Sequence, residues 1–97
     1  MSQNIIYRKC FGHFYLTKSV TIRSAMQREP VESSTLASVG YDETQYLLEL
    51  EFCSGEIYQY FGPPHRTHRE LMTAESKGGF FNQNIRDRFP YVRLPSP

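Results

Sequence analysis

The 97-residue chain has only two cysteines, no tryptophan and no long apolar segment. Cys10 and Cys53 are too few for a disulfide framework or a four-cysteine zinc site. The longest uninterrupted run of hydrophobic residues has three members, which excludes a transmembrane helix and the apolar segment of a signal peptide. We therefore expect no membrane partner, and without a secretion signal the cytoplasm is the expected compartment.

The composition is typical of one folded domain. Hydrophobic residues make up 39% of the chain and charged residues 22%, unlike a disordered tail. The net charge of +1 hides an uneven distribution, because residues 1–30 carry +4, residues 31–64 carry −6 and residues 65–97 carry +3. Solvated faces of a small domain explain this pattern, and the basic C-terminal third is also a candidate surface for a polyanion.

The middle of the chain predicts three antiparallel strands, at about 36–41, 46–53 and 56–61. The second is the clearest, because Leu48, Leu50 and Phe52 alternate with Glu49 and Glu51, the pattern of a strand with one buried face. A turn around residues 53–56 makes the third strand its hairpin partner. The first strand has a parity conflict between Leu36 and Val39, which predicts a bend or an edge there.

Two helices are predicted to follow the strands. Pro64 suits the start of a helix over 65–76, which Gly78 and Gly79 are expected to end. A second helix over about 80–88 would present Phe81 and Ile85 on one side. The predicted fold class is α+β: a three-stranded antiparallel β-meander followed by two C-terminal helices packed on one face. The main core candidates are Leu36, Val39, Leu48, Leu50, Phe52, Leu71, Met72, Phe81 and Ile85.

The N-terminal part lacks a consistent buried face. Glu29-Pro30 is expected to break the chain, because a residue before proline is driven toward extended geometry. We therefore assign residues 1–30 to a weakly packed extension or short strands, residues 31–94 to the domain and residues 95–97 to a tail. A chain that begins at Met26 is predicted to fold with nearly unchanged stability.

Several short motifs together resemble one known family. SVGYD at 38–42, LELEF at 48–52, the Tyr58-x-Tyr60 pair, the Ser76-Lys77-Gly78 step and FFNQNIR at 80–86 are similar in order and spacing to the KTSC domain. That family is named for its occurrence at the C-terminus of some lysyl-tRNA synthetases, and it also occurs as small bacterial and phage proteins. The resemblance covers roughly residues 31–94 and implies an RNA-related function by association only.

The junction Ser76-Lys77-Gly78-Gly79 is the candidate anion site. Glycines let backbone N–H groups converge, and Lys77 adds a positive charge at a helix start. Arg86, Arg88 and Arg93 are expected to gather nearby. A capped, glycine-rich break between two helices explains the same residues without a ligand.

The tyrosine pair Tyr58 and Tyr60 has two interpretations. Side chains two residues apart on a strand lie about 7 Å apart, which suits the stacking of two bases. Alternatively, both rings pack beneath the helices. Glu49 and Glu51 on the neighbouring strand would repel phosphate and would suit a basic protein partner instead.

No catalytic or metal site is predicted. His65 and His68 share one side of the first helix, but no third ligand is evident, so we expect no metal and no cofactor. The chain also has no nucleophile elbow or HExxH motif, which argues against an enzyme. Two functions stay open: an accessory module that binds RNA (tRNA or a single strand), and a protein-interaction module that uses an exposed strand face or edge.

Overall fold

The computed structural model describes residues 26–95 of the chain. Five strands form one antiparallel sheet whose spatial order is the chain order: β1 (Glu29–Pro30), β2 (Leu36–Asp42), β3 (Leu47–Phe52), β4 (Ile57–Phe61) and β5 (Tyr91–Arg93). Two helices, α1 (His65–Thr73) and α2 (Lys77–Asn84), connect β4 to β5. Within the described part, neither helix is long and apolar enough to cross a membrane.

The three central strands lie where the alternation predicted them, but the sheet has five strands and not three. β1 pairs through Glu29 and Pro30 with Val39 and Ser38 of β2. Glu29-Pro30 was predicted to break the chain. In an edge strand, however, the side of the backbone where proline lacks an N–H can face away from the neighbouring strand, so no hydrogen bond of the sheet is lost. β5 closes the other edge by pairing with β4. The sheet thus begins before residue 31, and the expectation for residues 1–25 lies outside the described residues.

A β-bulge resolves the parity conflict in the first predicted strand. The register between β2 and β3 shifts between Leu36 and Ser38, and the extra residue changes which side the following side chains face. Leu36 and Val39 can therefore both be buried on the helix-covered face, although they are three residues apart.

The helix boundaries differ from those predicted around the glycine pair. α1 ends at Thr73, and α2 already begins at Lys77, so Gly78 and Gly79 lie in the first turn of α2 and do not end α1. The cause is Ser76, whose Oγ accepts a hydrogen bond from the Gly79 N–H at 3.0 Å and caps the new helix. Gly78 is buried, and a Cβ added to it would lie 2.4 Å from Thr35 Oγ1.

The core lies between the helices and one face of the sheet. Seven of the nine predicted core residues are buried: Leu36, Val39, Leu48, Leu50, Leu71, Phe81 and Ile85. Phe52 and Met72 are partly buried and pack against that cluster, which Val31 and Tyr60 complete. The helices therefore cover a single sheet face, as expected.

Candidate functional site

An aromatic surface extends from the core to one edge of the sheet. Leu50 pairs with Tyr58 and Leu48 with Tyr60, and Tyr60 pairs in turn with Tyr91 of β5. Paired residues in neighbouring strands point to the same face. The three tyrosines therefore continue the apolar face of β3 outward, to the region that α2 covers only in part.

The rings of this surface are in mutual contact. Tyr58 and Tyr60 are stacked with centroids 6.3 Å apart, and the Tyr91 ring lies 5.4 Å from Tyr58 and 5.3 Å from Tyr60. Phe81 of α2 meets Tyr60 edge to face at 5.7 Å, and it meets Phe52 in the same way at 5.3 Å. Both contacts have geometries that the ring quadrupoles favour.

Between this surface and α2 lies a cleft of about 430 Å³, which we call the aromatic cleft. Its apolar lining consists of Phe52, Tyr58, Tyr60, Phe81 and Tyr91. Its polar lining consists of Thr35, Ser54, Glu56, Asn82, Arg86 and Asp87. The cleft therefore offers both aromatic surface for stacking and polar groups for hydrogen bonds.

The tyrosines differ in what they can offer a ligand. Tyr60 is only 4% exposed and belongs to the core, and Tyr58 is half-buried beside it. This packing accords with the structural interpretation of the predicted pair. Tyr91 is 54% exposed and is the accessible ring of the cleft. Sequence reasoning missed it as a site residue, because only the pairing of β5 with β4 brings it to the other two tyrosines.

The Tyr60 hydroxyl is held in its protonated form. Burial, with smaller contributions from the neighbouring Tyr91 and Tyr58, raises the pKa of Tyr60 to about 12. The Arg86 charge acts in the opposite direction, and the Asp87 charge adds to the increase. Both charges are therefore close enough to act on the inner end of the cleft.

The predicted arginines do not meet at one point. Arg86 lines the aromatic cleft, and its Nη1 donates to Asn82 Oδ1 at 3.4 Å. Arg93, on β5, forms an ion pair with Glu56 in which Nη2 and Oε2 are 3.4 Å apart. Arg88 is exposed and is not part of the cleft lining. Because Glu56 lines the cleft, its ion pair places Arg93 next to the cleft. Arg88 follows Arg86 by two residues in the sequence.

The predicted anion site lies in a neighbouring groove of about 340 Å³, which Ser76, Lys77, Gly78 and Gly79 help to line. The Lys77 Nζ donates to the Ala74 carbonyl at 3.1 Å. Glu32 and Glu75 line the same groove and disfavour an anion there. The groove shares Thr35 and Asn82 with the aromatic cleft, so the two depressions adjoin.

The acidic pair on β3 is not the exposed surface that the alternation indicated. Glu49 is completely buried and Glu51 is partly buried. Arg28 forms an ion pair with Glu49 and donates from Nε to Ser38 Oγ at 2.9 Å. Gln59 Nε2 donates to the other Glu49 oxygen at 2.8 Å. The expectation that Glu49 faces a basic partner is therefore wrong, because Arg28 of this chain already neutralises it.

The two histidines of α1 take part in an aromatic stack. His68 stacks on Tyr41 with centroids 4.8 Å apart, and His65 lies 6.1 Å from the same ring. Burial lowers the pKa of His68, and the nearby His65 lowers it further. Within residues 26–95, no cluster of three or more His, Cys, Asp or Glu side chains is placed to hold a metal ion.

Comparison with known proteins relates most of the chain to one family. Residues 32–89 match the family model described as KTSC domain. The crystal structure of a KTSC domain protein from Yersinia pestis superimposes with a TM-score of 0.69 at 44% identity, over 73% of this chain and all of that one. An uncharacterized protein of Stutzerimonas stutzeri is 45% identical over 70 residues, which is 71% of this chain and 99% of that protein. A lysine–tRNA ligase of a Nostoc species is 40% identical over 81 residues, which is 81% of this chain but 14% of the ligase.

Proposed function

Because the chain belongs to the KTSC domain family, and because most of it is similar to a short segment of a lysine–tRNA ligase, we propose that it is a cytoplasmic, non-enzymatic accessory module that binds single-stranded RNA or an unpaired part of a tRNA. The observation that carries the proposal is the aromatic cleft. Unpaired RNA bases are recognised chiefly by stacking on aromatic rings and by contacts to their edges. The ligase similarity alone would be an argument by association.

In this proposal, the base stacks on the exposed ring of Tyr91. Tyr60 and Phe81 are buried and form a rigid inner wall, so little side-chain freedom is lost when a base enters. Stacking of one base on an aromatic side chain contributes about 1–3 kcal/mol in single-strand binders. This stacking energy is enough for weak binding to unpaired nucleotides. It depends little on the base sequence, because every base has a face that can stack.

In this proposal, the phosphates of the bound strand lie outside the cleft. Glu56 and Asp87 line the cleft and would repel a phosphate within it, whereas Arg88 is exposed on the turn that leaves α2 and does not line the cleft. Arg93 adds a second cation beside Glu56. The RNA backbone would therefore follow the arginines, while the base turns inward to the rings.

The direct test is fluorescence anisotropy of the full chain with a labelled single-stranded RNA and with a tRNA mixture, at several salt concentrations. Two phosphate contacts, by Arg88 and Arg93, predict a log–log salt slope of about −1.4, at ~0.7 per contact. Tyr91→Ala is expected to weaken binding by about 5- to 150-fold, the equivalent of one stacked base. Arg88→Gln should flatten the slope by about 0.7 and weaken all sequences alike.

Arg69→Gln is the matched control, because Arg69 is an exposed arginine on α1 and does not line the cleft. It should leave affinity and slope nearly unchanged. Absence of binding at low salt, where electrostatic attraction is strongest, would refute the proposal. Equal losses of affinity for Arg69→Gln and Arg88→Gln would indicate nonspecific attraction to the whole protein surface and would refute binding at the cleft.

The protein-interaction alternative would then lead. It would use β5, an edge strand in which Tyr91 and Val92 are exposed. β5 has only three residues and lies between Pro90 and Pro95, and short strands with nearby prolines are a common protection against strand addition. The edge therefore supports this alternative less well than the cleft supports RNA.

A further inference from the structure

The cleft that we assign to an unpaired base also has the chemistry to choose among bases. We propose that it selects guanine, with Arg86 reading one edge of the base and Asp87 the other. This inference rests on the proposed RNA-binding function and adds the identity of the base to it. It is carried by the placement of two adjacent, oppositely charged side chains in one aromatic cleft.

Arg86 and Asp87 are consecutive residues, and both line the aromatic cleft. They follow the last turn of α2, and Asp87 has a φ of 63°, the left-handed conformation that aspartate and asparagine adopt more readily than most residues. This backbone conformation lets the turn present both side chains to the cleft. A cation and an anion are thereby placed next to each other, beside Tyr60 and Tyr91.

Both side chains have hydrogen-bonding capacity left for a ligand. Arg86 forms one long bond, from Nη1 to Asn82 Oδ1 at 3.4 Å, and its guanidinium has five N–H donors. The Asp87 carboxylate forms no side-chain hydrogen bond or ion pair within residues 26–95. The other carboxylate of the cleft, Glu56, is paired with Arg93. Asp87 is therefore the available acceptor and Arg86 the available donor.

Guanine is the base whose edges match this pair. Its O6 and N7 are adjacent acceptors that an arginine binds with two hydrogen bonds. Its N1–H and N2–H₂ are adjacent donors that a carboxylate can accept through both oxygens. Adenine and cytosine each place a donor beside an acceptor on the pairing edge, and uracil places its N–H between two carbonyls. Each of these three bases would hold an acceptor against the Asp87 carboxylate.

The experiment compares short labelled oligouridines that carry one central guanosine, adenosine, cytidine or uridine, in the same anisotropy assay. The guanosine strand is expected to bind about tenfold more tightly, the discrimination typical of one bidentate base contact. Inosine in the central position keeps O6 and N7 but lacks the N2 amine, so it should lose most of that preference. 7-Deazaguanosine lacks N7 and tests the edge assigned to Arg86.

Asp87→Asn separates specificity from folding. Asparagine has the same shape and tolerates the left-handed conformation, but its amide offers only one acceptor, where the carboxylate offers two, and adds donors. The variant should lose the preference for guanosine, so that its affinities for the guanosine and all-uridine strands become nearly equal. Glu75→Gln is the control, because Glu75 is an exposed carboxylate of the neighbouring groove, and this change should leave the preference intact.

The outcomes distinguish this inference from the proposed function. Equal binding of all four strands would overturn guanine selection while leaving RNA binding in place. A preference that survives Asp87→Asn would overturn the role of Asp87. Failure of every strand to bind at low salt would overturn both proposals together.

Discussion

Replacement of Gly78 by alanine tests whether this glycine serves packing or a ligand. Gly78 lies in the first turn of α2 and is buried. An added Cβ would lie 2.4 Å from Thr35 Oγ1 and 3.0 Å from Thr35 Cβ. The first distance is far below ordinary contact between heavy atoms, about 3.5–4.0 Å, so the loop that carries Thr35 would have to move away from the helix.

Two effects of opposite sign decide the size of the change. Alanine in a helix interior is favoured over glycine by about 1 kcal/mol, and less in a first turn, where fewer backbone bonds depend on it. Overpacking of a filled site costs about 1–3 kcal/mol. Because the overlap is large, we expect Gly78→Ala to lower the free energy of unfolding by about 1–2 kcal/mol. That loss corresponds to a decrease in Tm of about 4–16 °C for a domain of this size.

The assay is thermal and urea denaturation followed by circular dichroism, with Thr35→Ala as the second arm of a double-mutant cycle. Thr35→Ala removes the Oγ1 that makes the closest contact, so Gly78→Ala should cost at least about 1 kcal/mol less in that background. RNA affinity of the folded Gly78→Ala protein should fall less than that of Tyr91→Ala, because Gly78 does not line the aromatic cleft. An alanine variant as stable as the parent would refute the packing argument.

Three further predictions concern buried polar groups. His68 is stacked on Tyr41, and its pKa in the folded protein lies below the ordinary value of 6.5. As the pH falls below 6.5, the unfolded chain therefore takes up this proton first, and the free energy of unfolding should decrease. His68→Phe should flatten the dependence of the urea midpoint on pH between about pH 7.5 and pH 5.5, and an unchanged dependence would contradict the assignment. The pKa of Tyr60 is raised to about 12, so its contribution to stability is complete below the ordinary tyrosine pKa of about 10 and is lost as the pH rises toward 12. In an absorbance titration of tyrosine ionisation, Tyr60→Phe should lack the step that occurs at the highest pH. Arg28→Met removes the cation from the buried ion pair and should lower the free energy of unfolding by about 3 kcal/mol or more. Adding Glu49→Gln should recover part of that loss. An Arg28→Met variant as stable as the parent would show that the ion pair does not stabilise this face of the sheet.

The sequence by itself determined the elements whose signals are local. Alternation of Leu48, Leu50 and Phe52 with two glutamates defined β3, and Pro64 marked the start of α1. The parity conflict between Leu36 and Val39 correctly indicated an irregularity, which the structure shows as a bulge. Such signals depend on residues a few positions apart, so they can be read from a single chain.

The motif resemblance likewise gave the family and the α+β class from the sequence. It did not give the ends of the sheet. β1 contains a proline and has two residues, and β5 has three, so neither has enough length to show an alternation. A short edge strand is held by the neighbour it pairs with, and its own sequence carries little of that information.

The tertiary structure alone decided which side chains share a site. Tyr91 reaches Tyr60 across 31 positions of sequence because β5 pairs with β4, and Arg28 reaches Glu49 from 21 positions away. Glu49 has the same pattern as Glu51 along β3, yet it is completely buried because an arginine from outside the hairpin reaches over it. Composition and periodicity indicate which face of a strand is polar, but what covers that face depends on long-range pairing and packing. For the same reason, only the folded chain places Tyr91, Arg86 and Asp87 around one cleft.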